Sequence, residues 1–251
     1  MNLFGLAWLS ALLLLAPAAA AQTQTQTELQ PQTPEAADPP AKPPALAQVT
    51  YDFERPGVPV PRYTLRVDQQ GHGTYIADEV LQVAGARDGD PPQKQHVERP
   101  IELTAPTVAK IFTAALALDG FHAVCASSLK NIADTGAKTL TYTAPPGAPP
   151  GSDGACRYNF SENKSVVLLT ETFGCIAMTL DIGRRLDFDH RFDRLGLDAD
   201  MNRLMEAVGQ GRAIELGTIA RTLRVLAQDP EVMERVRLHA AALLAQFPPP
   251  A

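Results

Sequence analysis

Cysteine is scarce in this sequence, which has only three among 251 residues: Cys125, Cys156 and Cys175. No Cys-x-x-Cys pair and no Cys/His spacing of a zinc site occurs, so we expect no metal centre built on thiolates. Three cysteines allow one disulfide and one free thiol, in three possible pairings. We favour Cys125 with Cys156, because these two flank the most irregular segment and Cys175 lies in an apolar helical pattern.

Clusters of basic residues are also absent. Lys and Arg number 22 against 28 Asp and Glu, which gives a net charge of -6, and no basic run is interleaved with aromatic residues. This balance argues against nucleic acid or an anionic membrane as the main partner. We therefore predict no nucleic acid, no membrane contact beyond a signal peptide, and no cofactor.

An uncharged apolar run occupies the N-terminus and ends in the small residues that a signal peptidase accepts. It predicts a signal peptide over 1–21 and a periplasmic or secreted protein. The run has no Lys or Arg before it, so an uncleaved transmembrane anchor stays open as an alternative. Residues 22–48 are rich in Pro, Gln and Thr and predict a disordered spacer, because so few large apolar groups cannot offset the entropy of ordering.

The remaining residues, 49–247, predict a single α+β domain. Alternation of apolar and polar residues indicates that 49–104 is mostly β, with strands near 49–55, 61–67 and 72–80 and a short last strand at 101–104. The segment 84–100 has the Gly, Asp and Pro content of a loop. We expect a small antiparallel sheet from the N-terminal half, packed on a C-terminal bundle of about five helices.

Helical periodicity begins after Thr104 and predicts a helix that ends near Leu118, before Gly120. The mixed segment 105–162 then predicts a short helical turn after Ser127, a strand over 138–143 and a returning strand over 156–160. Residues 163–247 are helical by pattern, with four helices. The first of these is apolar nearly all round, so it is predicted to be buried, with its main stripe at Val166, Leu169, Phe173, Ile176 and Leu180.

The tetrad Asp134-Thr-Gly-Ala137 matches the sequence around the catalytic aspartate of aspartic peptidases. A single copy would need a homodimer, in which paired carboxylates share one proton and activate water. Ile182 to Arg185 also resembles the apolar-Gly element that supports the catalytic turn in that family. Long helices follow the tetrad, however, whereas that family is almost wholly β. We favour an Asx turn at Asp134, with Gly136 at positive φ, and keep the peptidase as the alternative.

A second group of acids lies between Leu186 and Asp200, with His190 among them. The group fails the test for an EF-hand, because Arg203 stands where the loop needs Gly and Gly209 where it needs a bidentate Glu. We interpret it as a hinge between helices, with Asp193 or Asp198 as a cap and Arg191 or Arg194 in ion pairs. The alternative is a hydrolase that uses the acids from Asp187 to Asp193.

Three stretches, "RYTLRVDQQGHGTY", "LKNIADTGAKTLTY" and "RFDRLGLDADMNRL", resemble uncharacterised exported bacterial proteins of the kind found in soil acidobacteria. The resemblance covers most of 49–245 and implies no activity. Without a convergent set of catalytic residues, the sequence favours a non-enzymatic envelope protein that binds or scaffolds another envelope protein.

Overall fold

The computed structural model describes residues 46–81 and 93–246. The predicted signal peptide, most of the predicted spacer and part of the predicted loop therefore lie outside the described residues. The fold is α+β, as predicted, and its helices hold more residues than its strands. Its strands are β1 Gln48–Glu54, β2 Arg62–Asp68, β3 His72–Leu81, β4 Gln93–Glu102, β5 Ala137–Thr143 and β6 Gly154–Tyr158. Its helices are α1 Ala105–Ala117, α2 Lys164–Phe192, α3 Gly196–Gly209, α4 Ala220–Gln228 and α5 Glu234–Leu244.

The strands form one antiparallel sheet of six, in the order β4-β3-β2-β1-β5-β6. Strands β1 to β4 pair in sequence order, as do β5 and β6, whereas β5 pairs with β1 rather than with β4. A short turn joins β2 to β3. There the Asp68 side chain accepts the backbone N–H of Gln70 at 2.9 Å, and Gly71 supplies a positive φ of 91°. Strand β1 starts one residue earlier than its pattern predicted, since Gln48 already pairs with Asp68, and Ala47 before it is fully buried.

Strand β4 corrects the predicted loop over 84–100, whose second half is strand. The pattern missed it because β4 is an edge strand with exposed polar side chains, and an edge tolerates Pro100, which lacks an N–H. The predicted helical turn after Ser127 is also wrong, since residues 126–136 contain no helix. Their backbone is held by other groups instead: the Ser127 N–H, for example, donates to the Phe160 carbonyl at 2.9 Å.

One face of the sheet carries the core. Buried side chains of β1 and β2 alternate along each strand and meet α2, where the rings of Tyr51 and Phe173 stack at 5.2 Å with nearly parallel planes. Every residue of the predicted α2 stripe is buried, which confirms that helix as the centre of the core. Within the described residues, α2 alone is long and apolar enough to cross a membrane, but over half of that stretch is buried in the protein.

The segment 122–136 lies against β6, the second edge of the sheet. The predicted disulfide Cys125–Cys156 joins this segment to β6. Further hydrogen bonds attach it just beyond the strand. Among them, the Thr135 N–H donates to the Asn159 side chain and Ser127 Oγ donates to Glu162. Cys175 remains a free, half-buried thiol.

Helices α2 and α3 are joined by a turn much shorter than the predicted hinge. Residues 186–192 continue α2, and only Asp193 to Leu195 separate the helices. A short turn also separates α4 from α5. Asp229 ends α4 and accepts the Glu231 N–H at 2.9 Å, and α5 begins at Glu234.

Candidate functional site

The other face of the sheet is polar, and no described element covers it. We call it the open face; its side chains are all half-buried or exposed. Threonine recurs across neighbouring strands, so that Thr50 of β1 lies opposite Thr141 of β5 and Arg66 of β2. The residues of the open face used below are Thr50, Asp52, Glu54, Arg62, Thr64, Arg66, Asp78, Thr139, Thr141 and Arg157.

Two depressions mark the centre of the open face. One has a volume of about 370 Å³ and is lined by residues of β1, β2, β5 and β6, including Arg62 and Arg157. The other has a volume of about 580 Å³ and includes Arg66 and Thr141 in its lining. Both share Asp52 and Thr64, whose side chains form a cross-strand hydrogen bond of 2.6 Å. This pair is therefore the midpoint of the site.

The charged groups of the open face are unevenly paired. Glu54 lies 3.6 Å from Arg62, and Asp78 lies 2.9 Å from His96. By contrast, neither Arg66 nor Arg157 has a carboxylate within 4.0 Å among the described residues. Two guanidinium groups with free donors thus stand on either side of the Asp52–Thr64 pair. Together with threonine hydroxyls, which both donate and accept, they can hold a polar ligand that carries carboxylates.

Asp134 shapes a turn in this structure. One of its carboxylate oxygens accepts the Gly136 N–H at 2.9 Å, and Gly136 has a φ of 94°. Both features confirm the predicted Asx turn. The segment from Ile182 to Arg185, which resembles the supporting element of aspartic peptidases, is an interior turn of α2. Its Arg184 pairs with Glu79 rather than with the turn at Asp134.

Lys138 completes this turn from inside the protein. Its side chain is buried, and its ammonium group donates to the carbonyl oxygens of Thr135, Gly136 and Asn159 at 3.1, 2.9 and 2.8 Å. It also donates to the Thr135 hydroxyl at 2.9 Å. Burial lowers the pKa of Lys138, although the nearby Asp134 opposes that change. With its donors used in this way, the lysine serves the structure of the turn.

The acidic residues of the predicted hinge do not form one cluster, because they contact different partners. Asp187 lies 3.9 Å from Arg99, and His190 lies 2.7 Å from Asp229. The hydrogen bond from His190, followed by the Glu231 N–H, lowers the pKa of Asp229. Asp193 accepts the Gly196 N–H at 3.2 Å, which confirms a capping role for that residue, and Arg194 reaches Glu231 at 2.8 Å.

Asp189 differs from these acids because it is buried. Burial raises its pKa to about 6, and the neighbouring carboxylates of Asp200 and Asp193 add to that effect. Among the described residues, no three His, Cys, Asp or Glu side chains come together as metal ligands. The Asp189 carboxyl, at the contact between α2 and α3, therefore holds its proton to a higher pH than an exposed aspartate does.

A second buried carboxyl belongs to Glu79 on the core face of β3. Its Oε2 lies 2.5 Å from Nε of Arg184, and the buried carboxylate has no other hydrogen-bond partner among the described residues. Arg184 also lies 3.2 Å from Asp181. Burial raises the pKa of Glu79, and Arg184 opposes the rise. The pair fixes the end of β3 on α2.

In three comparisons, no protein-family model, no curated protein and no solved structure matches this chain.

The open face was missed by the sequence analysis. Its residues are the polar members of the same alternating patterns that predicted the strands, such as Thr64 between Tyr63 and Leu65. The pattern shows that such residues face away from the core. It contains no information on which strands are neighbours, so it could not bring Arg157 of β6 near Asp52 of β1. Prediction of this face would have required the order of the strands in the sheet, which the sequence pattern does not give.

Proposed function

We propose that this protein is exported and binds or scaffolds another envelope protein, without catalysis, through the open face of its sheet. The signal-like N-terminus supports export, and the disulfide Cys125–Cys156 fits an oxidising compartment such as the periplasm or the cell exterior. The open face supports binding, because a sheet presented on one side offers a broad surface whose side chains are not needed by the core.

The observation that carries the proposal is the state of Arg66 and Arg157. In an isolated antiparallel face, arginines commonly pair with carboxylates across the strands, as Arg62 does with Glu54. Arg66 and Arg157 have threonine neighbours instead, at Thr50 and Thr139. Their guanidinium groups are therefore available to carboxylates of a partner, with which bidentate hydrogen bonds are favoured.

Binding of a protein surface rather than a small molecule follows from the shape of the face. Both depressions are open to solvent, and most of the residues that line them are polar or charged, whereas small-molecule sites are enclosed and mostly apolar. An acidic partner loop laid across the strands would meet Arg66, Arg157 and the threonines between them. The expected interface is polar and dependent on salt.

The test is affinity capture from envelope extracts of the source organism, with the exported protein as bait. The variant Arg66→Glu/Arg157→Glu reverses both free charges on the open face. Arg221→Glu/Arg224→Glu is the matched control, since these arginines are exposed on α4 and make the same change in net charge. We expect wild type and control to retain the same partner and the open-face variant to lose it.

Retention of the partner by Arg66→Glu/Arg157→Glu would contradict the open face as the site. Capture of only background by the wild type would contradict a binding function altogether. Crosslinked peptides from a retained partner should map to β1, β2 and β5.

A further inference from the structure

Large apolar side chains are exposed to solvent at the end of α2 and in the turn after it. Phe188, Phe192 and Leu195 are 48%, 73% and 88% exposed. The rings of Phe188 and Phe192 lie 5.1 Å apart, and Leu195 follows in the turn. We call these three residues, with Arg191 between the two phenylalanines, the tip.

Charge distinguishes the tip from an ordinary apolar patch. Arg191 is exposed, and no carboxylate lies within 4.0 Å of it in the part of the chain that the structure describes. Its neighbour Arg194, in contrast, is paired with Glu231 at 2.8 Å. The tip therefore presents a free guanidinium group beside exposed aromatic and aliphatic side chains. That combination can bind a surface that has an apolar interior and negatively charged groups where it meets water.

We propose that the tip inserts into the interfacial region of an anionic lipid bilayer. Phenylalanine and leucine would enter the boundary between headgroups and acyl chains, and Arg191 would pair with a lipid phosphate. This inference does not depend on the proposed function, because it concerns another surface. It departs from the prediction of no membrane contact beyond a signal peptide, which rested on net charge and could not foresee the exposure of these three side chains.

Size argues for a lipid surface over a second copy of the chain. From their exposed fractions, the three apolar side chains present about 300–400 Å² in total. A stable dimer needs roughly 600 Å² or more on each protomer. A bilayer needs no complementary surface, and a few inserted side chains give weak, reversible association. The net charge of -6 keeps the remaining surface away from anionic lipid, so contact would be limited to the tip.

Tryptophan fluorescence tests insertion at a defined position. The chain has one tryptophan, Trp8, so the spectrum of the wild type can be subtracted from that of Leu195→Trp. With vesicles of equal parts phosphatidylcholine and phosphatidylglycerol, we expect a blue shift of the new emission and its quenching by brominated acyl chains. Leu116→Trp is the control, since Leu116 is 65% exposed on α1; it should show neither effect.

Co-sedimentation with the same vesicles tests the contribution of the tip to binding. Phe192→Gln/Leu195→Gln should weaken partition by about tenfold or more relative to the full chain, and Leu116→Gln should leave it unchanged. Arg191→Gln should lower the preference for phosphatidylglycerol over pure phosphatidylcholine. All the altered side chains are exposed, and circular dichroism would verify that each variant is folded.

Two results would overturn the proposal. Equal partition of wild type and Phe192→Gln/Leu195→Gln would show that any membrane binding comes from elsewhere, including the N-terminal segment that all variants share. A blue shift of Leu195→Trp that grows with protein concentration in the absence of vesicles would assign the tip to contact between copies of the chain.

Discussion

The ammonium group of Lys138 lies 2.9 Å from the carbonyl oxygen of Gly136, and this contact holds the turn at Asp134 from the inside. The lysine also reaches across to β6 through the Asn159 carbonyl at 2.8 Å. One buried charge thus joins the start of β5, the turn before it and the end of β6. The peptidase-like tetrad is thereby placed in a local structural network.

Replacement of Lys138 by Met should be strongly destabilising. The apolar chain would fit the space, but three carbonyl oxygens would lose their donor, and we expect a loss of about 3 kcal/mol in the free energy of unfolding. Urea denaturation measures this. Lys110→Met, at an exposed position on α1, should change stability by less than about 0.5 kcal/mol. Similar effects at both positions would contradict the anchoring role.

Gly136→Ala should be more damaging than the same change at Gly57. Both glycines have positive φ, so both variants carry the cost of about 1 kcal/mol for a Cβ in that conformation. Only at Gly136 would the Cβ also meet neighbours, with Phe53 Cε2 at 2.9 Å and the Glu54 carbonyl at 3.0 Å. We expect a further loss of about 1–2 kcal/mol there. Equal losses at the two sites would mean that the turn can relax.

Asp134→Asn should cost about 1 kcal/mol or less, because an amide oxygen can still accept the Gly136 N–H. The same variant tests the peptidase alternative. A homodimeric aspartic peptidase would lose acid-optimum cleavage of a denatured protein substrate while it stays folded. We expect no such cleavage from the wild type. Proteolysis that is present in the wild type and absent in Asp134→Asn would establish the alternative.

Loss of the disulfide should lower stability by about 3–4 kcal/mol, from the entropy gained when a loop spanning 31 residues opens in the unfolded chain. The variant is Cys125→Ser/Cys156→Ser, measured by thermal unfolding. Cys175→Ser is the control, because Cys175 is a free thiol, and it should stay within about 1 kcal/mol of the wild type. A reducing agent should reproduce the effect of the double variant in the wild type.

Asp189 should make stability fall between about pH 4 and pH 6. Its pKa is raised from 3.8 to about 6 by folding, so the folded state holds the proton more tightly. The stability this gives is present below pH 3.8 and is lost as the pH rises through about 6. Asp189→Asn should therefore be more stable than the wild type at pH 7, by about 1–2 kcal/mol, and similar to it at pH 4. A difference that is independent of pH would contradict this titration.

The sequence predicted the elements best where burial was continuous. The stripe of α2 and the alternation in β1 and β2 identified core residues correctly, because an apolar face must repeat with the period of its element. The contacts between distant residues were not predicted. The start of α1 was predicted correctly, but the hydrogen bond from its Thr104 N–H to the Glu215 carboxylate, at 2.9 Å and across 111 positions of sequence, was not. No local pattern contains such a contact.

The candidate site also depends on contacts between residues that are distant in sequence, so it was not predicted. Thr64 and Asp52 were each predicted to lie in a strand, but their hydrogen bond and the nearby Arg66 depend on strand register. The Asx turn at Asp134 was predicted correctly because such a turn depends only on residues two apart. Contacts between residues that are close in sequence could be predicted, whereas contacts that depend on how the strands pair could not.

The segment 122–136, which the disulfide Cys125–Cys156 joins to β6, also bears on whether molecules of this protein associate with one another. An uncovered edge strand invites pairing with the edge of another sheet, which leads to polymers. The opposite edge, β4, carries Pro100 and charged side chains, while β6 is a short strand to which the segment 122–136 is joined by the disulfide. Light scattering should show that reduced protein polymerises and that oxidised protein does not. Formation of this disulfide would then protect the protein from polymerisation into fibres.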